Sequence, residues 1–293
     1  MGSSPVPLDL DFQPQLTGLF SSPARQNPTM PMVEAAYKHH CIYARYLTCE
    51  VSPDGLGDAV RGARAMGWIG FNLSIPHKVA ILKYLDKVGK SASLIGAVNT
   101  VVHRDGQLIG ENTDGVGFLI SLKTITDPAG KNLVILGAGG AARAIAIESA
   151  LAGARSIIVV NRSSERGKDL AGLIAAKTSA KADFVSWNAT YRIPAQTDIL
   201  VNATSVGFYP EVDMTVDVDL DTLRSSVIVA DVIPNPPQTV LLRRAAELGC
   251  TTLDGLGMLV YQGVAGIQHW TGVSVDPTIM RNVLEEIFHV KKY

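Results

Sequence analysis

Along the chain, short apolar runs alternate with stretches whose apolar residues recur every three or four positions. Residues 17–20, 42–51 and 68–73 carry strand-type runs, and residues 32–40 and 56–66 carry helical spacing. A βαβα order of this kind implies a mostly parallel sheet. Residues 72–78 form a loop that leads into a predicted helix to about residue 88. Residues 96–102 and 104–109 read as two strands around an Asp105-Gly106 turn. The second strand ends at Glu111-Asn112-Thr113-Asp114-Gly115, a polar knot before a helix from about residue 116. Residues 133–136 are four consecutive apolar residues, the signature of a strand buried on both faces. Beyond them the pattern repeats, with strands at 156–160, 184–187, 199–201 and 227–232 and helices at 164–177 and 238–248. The chain returns through 255–272 and ends in a helix over 277–290.

The predicted class is therefore α/β in two parts. Residues 1–118 form an N-terminal α/β substrate domain, completed by C-terminal helices from 255–293. Residues 119–254 form a doubly wound parallel-sheet domain of Rossmann type, with a cleft between the two parts.

The buried strand runs into Gly137-Ala138-Gly139-Gly140-Ala141-Ala142 and then an Ala-rich helix to about residue 151. Strand, tight glycine turn and helix start are what a dinucleotide pyrophosphate needs. Gly137 permits the turn, Gly139 lets backbone N–H groups approach the phosphates, and Ala142 lets helix and strand pack closely. An NAD site ordinarily places Asp or Glu about 20 residues further on, at the tip of the next strand. Here that tip reads Asn161-Arg162-Ser163, with Arg166 one turn on. Guanidinium groups suit a 2′-phosphate, so the spacing favours NADP over NAD. The alternative is a solvated helix start in which both arginines pair with Glu165 or with nothing.

Composition narrows the field. With 47% hydrophobic and 18% charged residues and a net charge of −1, the 293-residue chain has no electrostatic case for nucleic acid or an anionic membrane. Residues 255–275 carry no formal charge, yet five glycines with Gln262, Gln268 and His269 argue for a buried helix lining a site rather than a membrane span. Cys41, Cys49 and Cys250 match no metal spacing, so no metal is expected, and core thiols in a reducing cytoplasm are the simplest account. The first dozen residues, with Pro5 and Pro7, suggest a loose leader rather than a secretory signal.

Hydride transfer between an alcohol and a ketone needs a proton donor and acceptor at the reacting oxygen. Lys78 and Asp114 lie in loops between regular elements and are the polar residues best placed for it. Residue type alone leaves Lys78 a surface residue near a helix start and Asp114 a helix cap. Asn99 and Asn112 have turn roles as their alternative, and His77 reads as solvent-facing.

Ser74-Ile75-Pro76-His77-Lys78, Gly96-Ala97-Val98-Asn99-Thr100, Asn112-Thr113-Asp114-Gly115, the Gly137 turn, Asn161-Arg162, Asn202-Ala203-Thr204-Ser205-Val206-Gly207, Asn235-Pro236 and Gly257-Met258-Leu259-Val260-Tyr261-Gln262-Gly263 occur in that order. Over about residues 17–285 the chain resembles shikimate dehydrogenase and its quinate/shikimate dehydrogenase relatives. The resemblance implies NADP-dependent interconversion of shikimate and 3-dehydroshikimate, in aromatic amino acid biosynthesis. It implies Lys78 and Asp114 as the catalytic pair and Asn72, Ser74, Asn99 and Gln262 as substrate contacts. Thr204, Ser205, Val206 and Met258 would border the nicotinamide, and the assembly would be a monomer or homodimer.

Two departures bear on the substrate. The family's loop after the first strand has two serines, spaced one apart, that bind the substrate carboxylate; here Asn27 and Thr29 stand there. Both still offer donors. Pro234 stands where the family usually has a tyrosine before Asn-Pro. These changes open quinate or an amino analogue as substrate. A non-catalytic dinucleotide-binding sensor is the alternative of another class, against which the presence of both Lys78 and Asp114 speaks.

Overall fold

A computed structural model describes residues 12–289, so the expectation for the leader lies outside the described residues apart from Phe12. The N-terminal part runs β1 (Gln15–Ser21), α1 (Thr29–His39), β2 (Ala44–Glu50), α2 (Leu56–Ala65), β3 (Gly70–Leu73), α3 (His77–Ala80), β4 (Lys87–Val88), α4 (Lys90–Ile95), β5 (Thr100–Arg104) and β6 (Gln107–Glu111). Its sheet has the order β2-β1-β3-β5-β6-β4. β1 pairs parallel with β2 and β3, whereas β3–β5 and β5–β6 are antiparallel, so this sheet is more mixed than the βαβα order implied. The Asp-Gly turn accounts for the β5–β6 pairing. Asp105 and Gly106 take φ of 51° and 74°, and such a two-residue turn closes an antiparallel hairpin. The helix expected to run to residue 88 stops at Ala80, passes through a 3₁₀ turn (Ile81–Tyr84) and becomes β4, because Lys87 and Val88 find ladder partners at Ile109 and Gly110.

The chain continues as α5 (Thr113–Lys123), β7 (Asn132–Leu136), α6 (Gly140–Leu151), β8 (Ser156–Asn161), α7 (Ser164–Lys177), β9 (Lys181–Ser186), β10 (Tyr191–Arg192), β11 (Ile199–Asn202), β12 (Val218–Asp219), β13 (Ile228–Asp231), α8 (Val240–Glu247), β14 (Thr251–Leu253), α9 (Gly255–Thr271) and α10 (Pro277–Ile287). The second sheet is wholly parallel, ordered β14-β13-β11-β7-β8-β9. Chain order reverses between β7 and β11, and the crevice at such a switch point is where open α/β sheets take their ligands. Leu133, Val134, Ile135 and Leu136 are all 1% exposed or less, as a strand covered on both faces requires.

α9 and α10 return to the first sheet. Leu256, Val260, Ile267, Trp270, Met280 and Leu284 share one core with Leu19, Met32, Val33 and Tyr37. α5 and α9 run side by side between the two sheets. Gly117 makes this possible, since a Cβ there would lie 2.6 Å from Gln262 N and 2.7 Å from Met258 O. The helix that begins at the polar knot is capped by Asn112, whose side chain accepts from Gly115 N, and Asp114 falls in its first turn.

Candidate active site

The glycine turn is built as a nucleotide cradle. Gly137 sits at φ 107° with its backbone against the Ala203 carbonyl; a Cβ there would come within 2.9 Å of that oxygen. Gly139 and Gly140 have open space where a side chain would be, so the first N–H groups of α6 are accessible. A cavity of about 530 Å³ begins there and is lined by Gly137, Ala138, Gly139, Asn161, Arg162, Thr204, Ser205 and Val206 among others. Gly140, Ala141, Ser163, Arg166 and Met258, also expected at the cofactor, are outside that lining. Ser163 instead caps α7, accepting from Arg166 N. Arg162 and Arg166 are exposed and, among the described residues, have no carboxylate partner, so the pairing with Glu165 does not form. Open helix N–H groups, a glycine turn and uncommitted guanidinium groups together fit a dinucleotide bearing a 2′-phosphate.

The wall of the cavity formed by residues 203–206 is held from behind. Asp231, 2% exposed at the end of β13, accepts from Asn202 Nδ2 at 3.0 Å, Thr239 Oγ1 at 2.8 Å and Ile233 N at 3.1 Å. Asn202 Oδ1 in turn accepts from Thr204 N and Oγ1 at 3.1 and 2.7 Å, and Thr204 Oγ1 accepts from Val206 N at 3.1 Å. Burial pushes the Asp231 carboxyl up to about 6, against the pull of its donors.

A second cavity, about 110 Å³, is lined by Leu19, Asn27, Thr29, Asn72, Leu73, Ser74, Lys78, Asn99, Asp114, Leu259 and Gln262. Every substrate and catalytic residue expected from the sequence lines it. Lys78 Nζ donates to Asp114 Oδ2 at 2.6 Å, and Asn99 Nδ2 donates to Asp114 Oδ1 at 2.8 Å, so each oxygen of the carboxylate is engaged. Val98 N holds the Lys78 carbonyl at 2.8 Å, fixing the base of the lysine. Asn72 is committed within the protein. Its Oδ1 accepts from Tyr46 OH at 2.7 Å, and its Nδ2 donates to Asn99 O and Thr100 Oγ1 at 3.1 and 3.0 Å. Burial raises the Tyr46 phenol far above its ordinary value, so it remains a donor.

His77 corrects the expectation of a solvent-facing ring. It is 1% exposed and its Nε2–H donates to Val51 O at 2.8 Å, because the turn from Ser74 to His77 folds the ring under the end of β2. Cys41 is likewise exposed rather than a core thiol, in a left-handed turn after α1. Among the described residues no helix is long and apolar enough to cross a membrane, and no group of His, Cys, Asp or Glu could hold a metal.

Comparison with known proteins gives the family. Family models described as the shikimate dehydrogenase substrate binding domain, shikimate / quinate 5-dehydrogenase and the shikimate 5′-dehydrogenase C-terminal domain match residues 19–101, 120–210 and 255–285. The shikimate dehydrogenase (NADP(+)) of Methanocaldococcus jannaschii is 40% identical over 94% of this chain and 98% of its own. The chain belongs to the shikimate dehydrogenase family. Among solved structures, shikimate 5-dehydrogenase from Listeria monocytogenes in complex with shikimate and NAD is 37% identical, with a TM-score of 0.90 over 96% of this chain and all of that one. The ligand-free 5-ketofructose reductase of Gluconobacter sp. strain CHM43 is 55% identical, with a TM-score of 0.93 over 95% of this chain and all of that one.

Within the shikimate dehydrogenase family frame, the Asn27/Thr29 loop has a definite geometry. Asn27 Oδ1 accepts from Thr29 N at 3.0 Å, which turns Asn27 Nδ2 away from that bond. Thr29 is 4% exposed, with its residue on the wall of the small cavity. Lys78 is the one cationic side chain in that wall, and it is paired with Asp114. Trp187, Asn188, Ala189 and residues 214–217 also line the cofactor cavity, and sequence reading missed them.

Proposed function

We propose that this chain is an NADP-dependent oxidoreductase that interconverts a secondary hydroxyl and a ketone on a small polyhydroxylated substrate. Shikimate and 3-dehydroshikimate are the pair that its curated relatives' name implies. The observation that carries the reading is the 2.6 Å Lys78–Asp114 pair inside a cavity lined by Asn27, Thr29, Ser74 and Gln262.

NADP(H), when bound along Gly137–Gly139, Asn161–Arg162 and residues 204–206, supplies or accepts the hydride. The side chains do the rest. Asp114 holds one Lys78 N–H and leaves the other ammonium protons for a ketone oxygen. As charge builds on that oxygen during reduction, Lys78 gives it a proton; in the oxidative direction Lys78 removes the hydroxyl proton. Lys78 has a third of its side chain exposed, so solvent can exchange the proton with it. Asn99, bound to the other Asp114 oxygen, keeps the carboxylate from rotating away.

A second substrate reading is favoured by the loop. A carboxylate bound there would meet one amide and one hydroxyl, with no unpaired cation. A neutral polyhydroxylated ketone such as 5-ketofructose asks for no anion site, and the 5-ketofructose reductase structure is more similar in sequence than the shikimate-bound Listeria one. Steady-state assays of shikimate with NADP⁺, and of 3-dehydroshikimate and 5-ketofructose with NADPH, decide the matter. Efficient shikimate turnover supports the first reading, and a kcat/KM at least tenfold higher for 5-ketofructose supports the second. Absence of turnover with all three would overturn the proposed activity.

A further inference from the structure

The small cavity that holds Lys78 is walled in part by Asn27 and Thr29, and their loop is held from outside the cavity. Glu50, the exposed last residue of β2, stands opposite Ser21 in the β1–β2 ladder. Its Oε1 accepts from Ser22 Oγ at 2.8 Å, and its Oε2 accepts from Ala24 N at 2.7 Å. Ala24 is 2% exposed, and its N–H has no other acceptor among the described residues. The Ala24 carbonyl in turn accepts from Asn27 N at 3.0 Å, and Asn27 Oδ1 accepts from Thr29 N at 3.0 Å. One chain of bonds thus runs from Glu50 through a closed turn to both wall residues. The base of the loop is fixed separately: Ile75 O, between Ser74 and Lys78 in sequence, accepts from Ser22 N at 3.0 Å and Ser21 Oγ at 3.1 Å.

We propose that Glu50 is a positioning residue for substrate recognition: acting through Ala24, it sets where Asn27 and Thr29 meet the substrate. The proposal rests on the reading of the small cavity as the substrate site, and it names a residue outside that cavity's lining. An exposed carboxylate at a strand end ordinarily contributes little, since water serves it as well as the protein does. Here the group at stake is the buried amide that the carboxylate satisfies. A buried N–H without an acceptor is costly, so without Glu50 the turn must open until water reaches Ala24. The Ala24–Asn27 bond passes that movement directly to the cavity wall. The Ala24 N–H first, and then the Ser22 hydroxyl, hold the Glu50 carboxyl below its ordinary value, so at neutral pH it is the charged acceptor these bonds use. Lys78 and Asp114 bond each other and Asn99 rather than this loop, and the Ser22–Ile75 bond does not involve Glu50, so the reacting centre keeps its place when the turn opens.

Two readouts test this, the first without substrate. In hydrogen–deuterium exchange of the unliganded protein, residues 23–29 should exchange about 5- to 10-fold faster in Glu50→Ala, while residues 72–80 stay as they are. Glu50→Gln, whose side-chain carbonyl can still accept from Ala24 N, should exchange like the unaltered protein. The second readout is steady-state kinetics with whichever of shikimate and 5-ketofructose is turned over more efficiently. Glu50→Ala should raise KM about 3- to 10-fold, the scale of one lost hydrogen bond. Its kcat should stay within about twofold, because contacts to a group that does not react act as uniform binding. Glu50→Gln should restore KM. On an Asn27→Ala background Glu50→Ala should add little, since Asn27→Ala has already freed Thr29 N. Unchanged exchange over 23–29, a kcat that falls as far as kcat/KM, or a full further rise in KM on the Asn27→Ala background would each overturn the proposal. If Asn27→Ala raises KM and Glu50→Ala does not, the proposal alone falls; if Asn27→Ala itself leaves KM unchanged, the reading of that wall as a substrate contact falls and takes the proposal with it.

Discussion

At the scale of single residues, the site turns on one carboxylate with both oxygens committed. Asp114 binds Lys78 across 36 residues of sequence and Asn99 across 15. Lys78→Ala should lower kcat by about 10²- to 10⁴-fold with KM nearly unchanged, the range for losing a positioned acid–base group. Steady-state kinetics in both directions check this, and a change confined to KM would make Lys78 a binding residue only. Asp114→Asn should also lower kcat, since it removes the charge that orients the lysine. The two residues were legible as a pair, but the loops expected around them are helix starts: Lys78 lies in α3 and Asp114 in the first turn of α5. Asn99 could have been placed from sequence, because counting back from the Asp105-Gly106 turn sets Thr100 opposite Glu111 and Asn99 beside Asn112. His77 offered no such signal. Its burial depends on the Val51 carbonyl, which lies 26 residues away on another strand end.

At the scale of elements, the parallel strands and long helices were readable because their apolar runs and caps agree. α7 forms over Ser164–Lys177 as the periodicity predicts, capped by Ser163. The two-residue strands β10 and β12 were not readable, since nothing periodic fits in two residues and their ladder joins segments 27 positions apart. On the proposed function, the β8–α7 elbow carries the cofactor choice. Arg162→Ala should weaken NADP about 10- to 100-fold, as expected for one charge-assisted contact worth ~1.5–3 kcal/mol, and change NAD much less. Equal losses in titrations with the two cofactors would refute the 2′-phosphate assignment. Behind the neighbouring wall, Asp231 ties β13 to the Asn202–Thr204 turn, and its carboxyl is raised from 3.8 to about 6. The fold thus favours the protonated form. Its contribution to stability is whole below about pH 3.8 and fades as pH rises through about 6. At about 1.4 kcal/mol per pH unit the swing is ~3 kcal/mol. In urea melts between pH 4 and 7, the stability of the unaltered protein relative to Asp231→Asn should therefore fall with rising pH and level off above pH 6 to 7. A pH-independent difference would show that Asp231 ionises in the fold as it does in the unfolded chain.

At the scale of the whole molecule, the two sheets are joined through one close helix pair, and the site straddles it. Asp114 stands on the first turn of α5, while Leu259 and Gln262 project from α9, so the spacing of these helices sets the width of the substrate cavity. Gly117 sets that spacing, because its missing Cβ lets α5 rest on the α9 backbone at Met258 and Gln262. Gly117→Ala should force the helices apart. Overpacking of this kind costs about 1–3 kcal/mol, and the displaced backbone carries Asp114 away from Gln262. The expected result is a lower urea midpoint together with a lower kcat/KM. Gly172 on the exposed face of α7 is the matched control, since nothing lies within 4 Å of where its Cβ would stand. Gly172→Ala should raise stability by about 0.5–1 kcal/mol through helix propensity alone and leave turnover untouched. If both substitutions behave alike, α5 and α9 have slack between them, and the cavity takes its width from elsewhere in the fold.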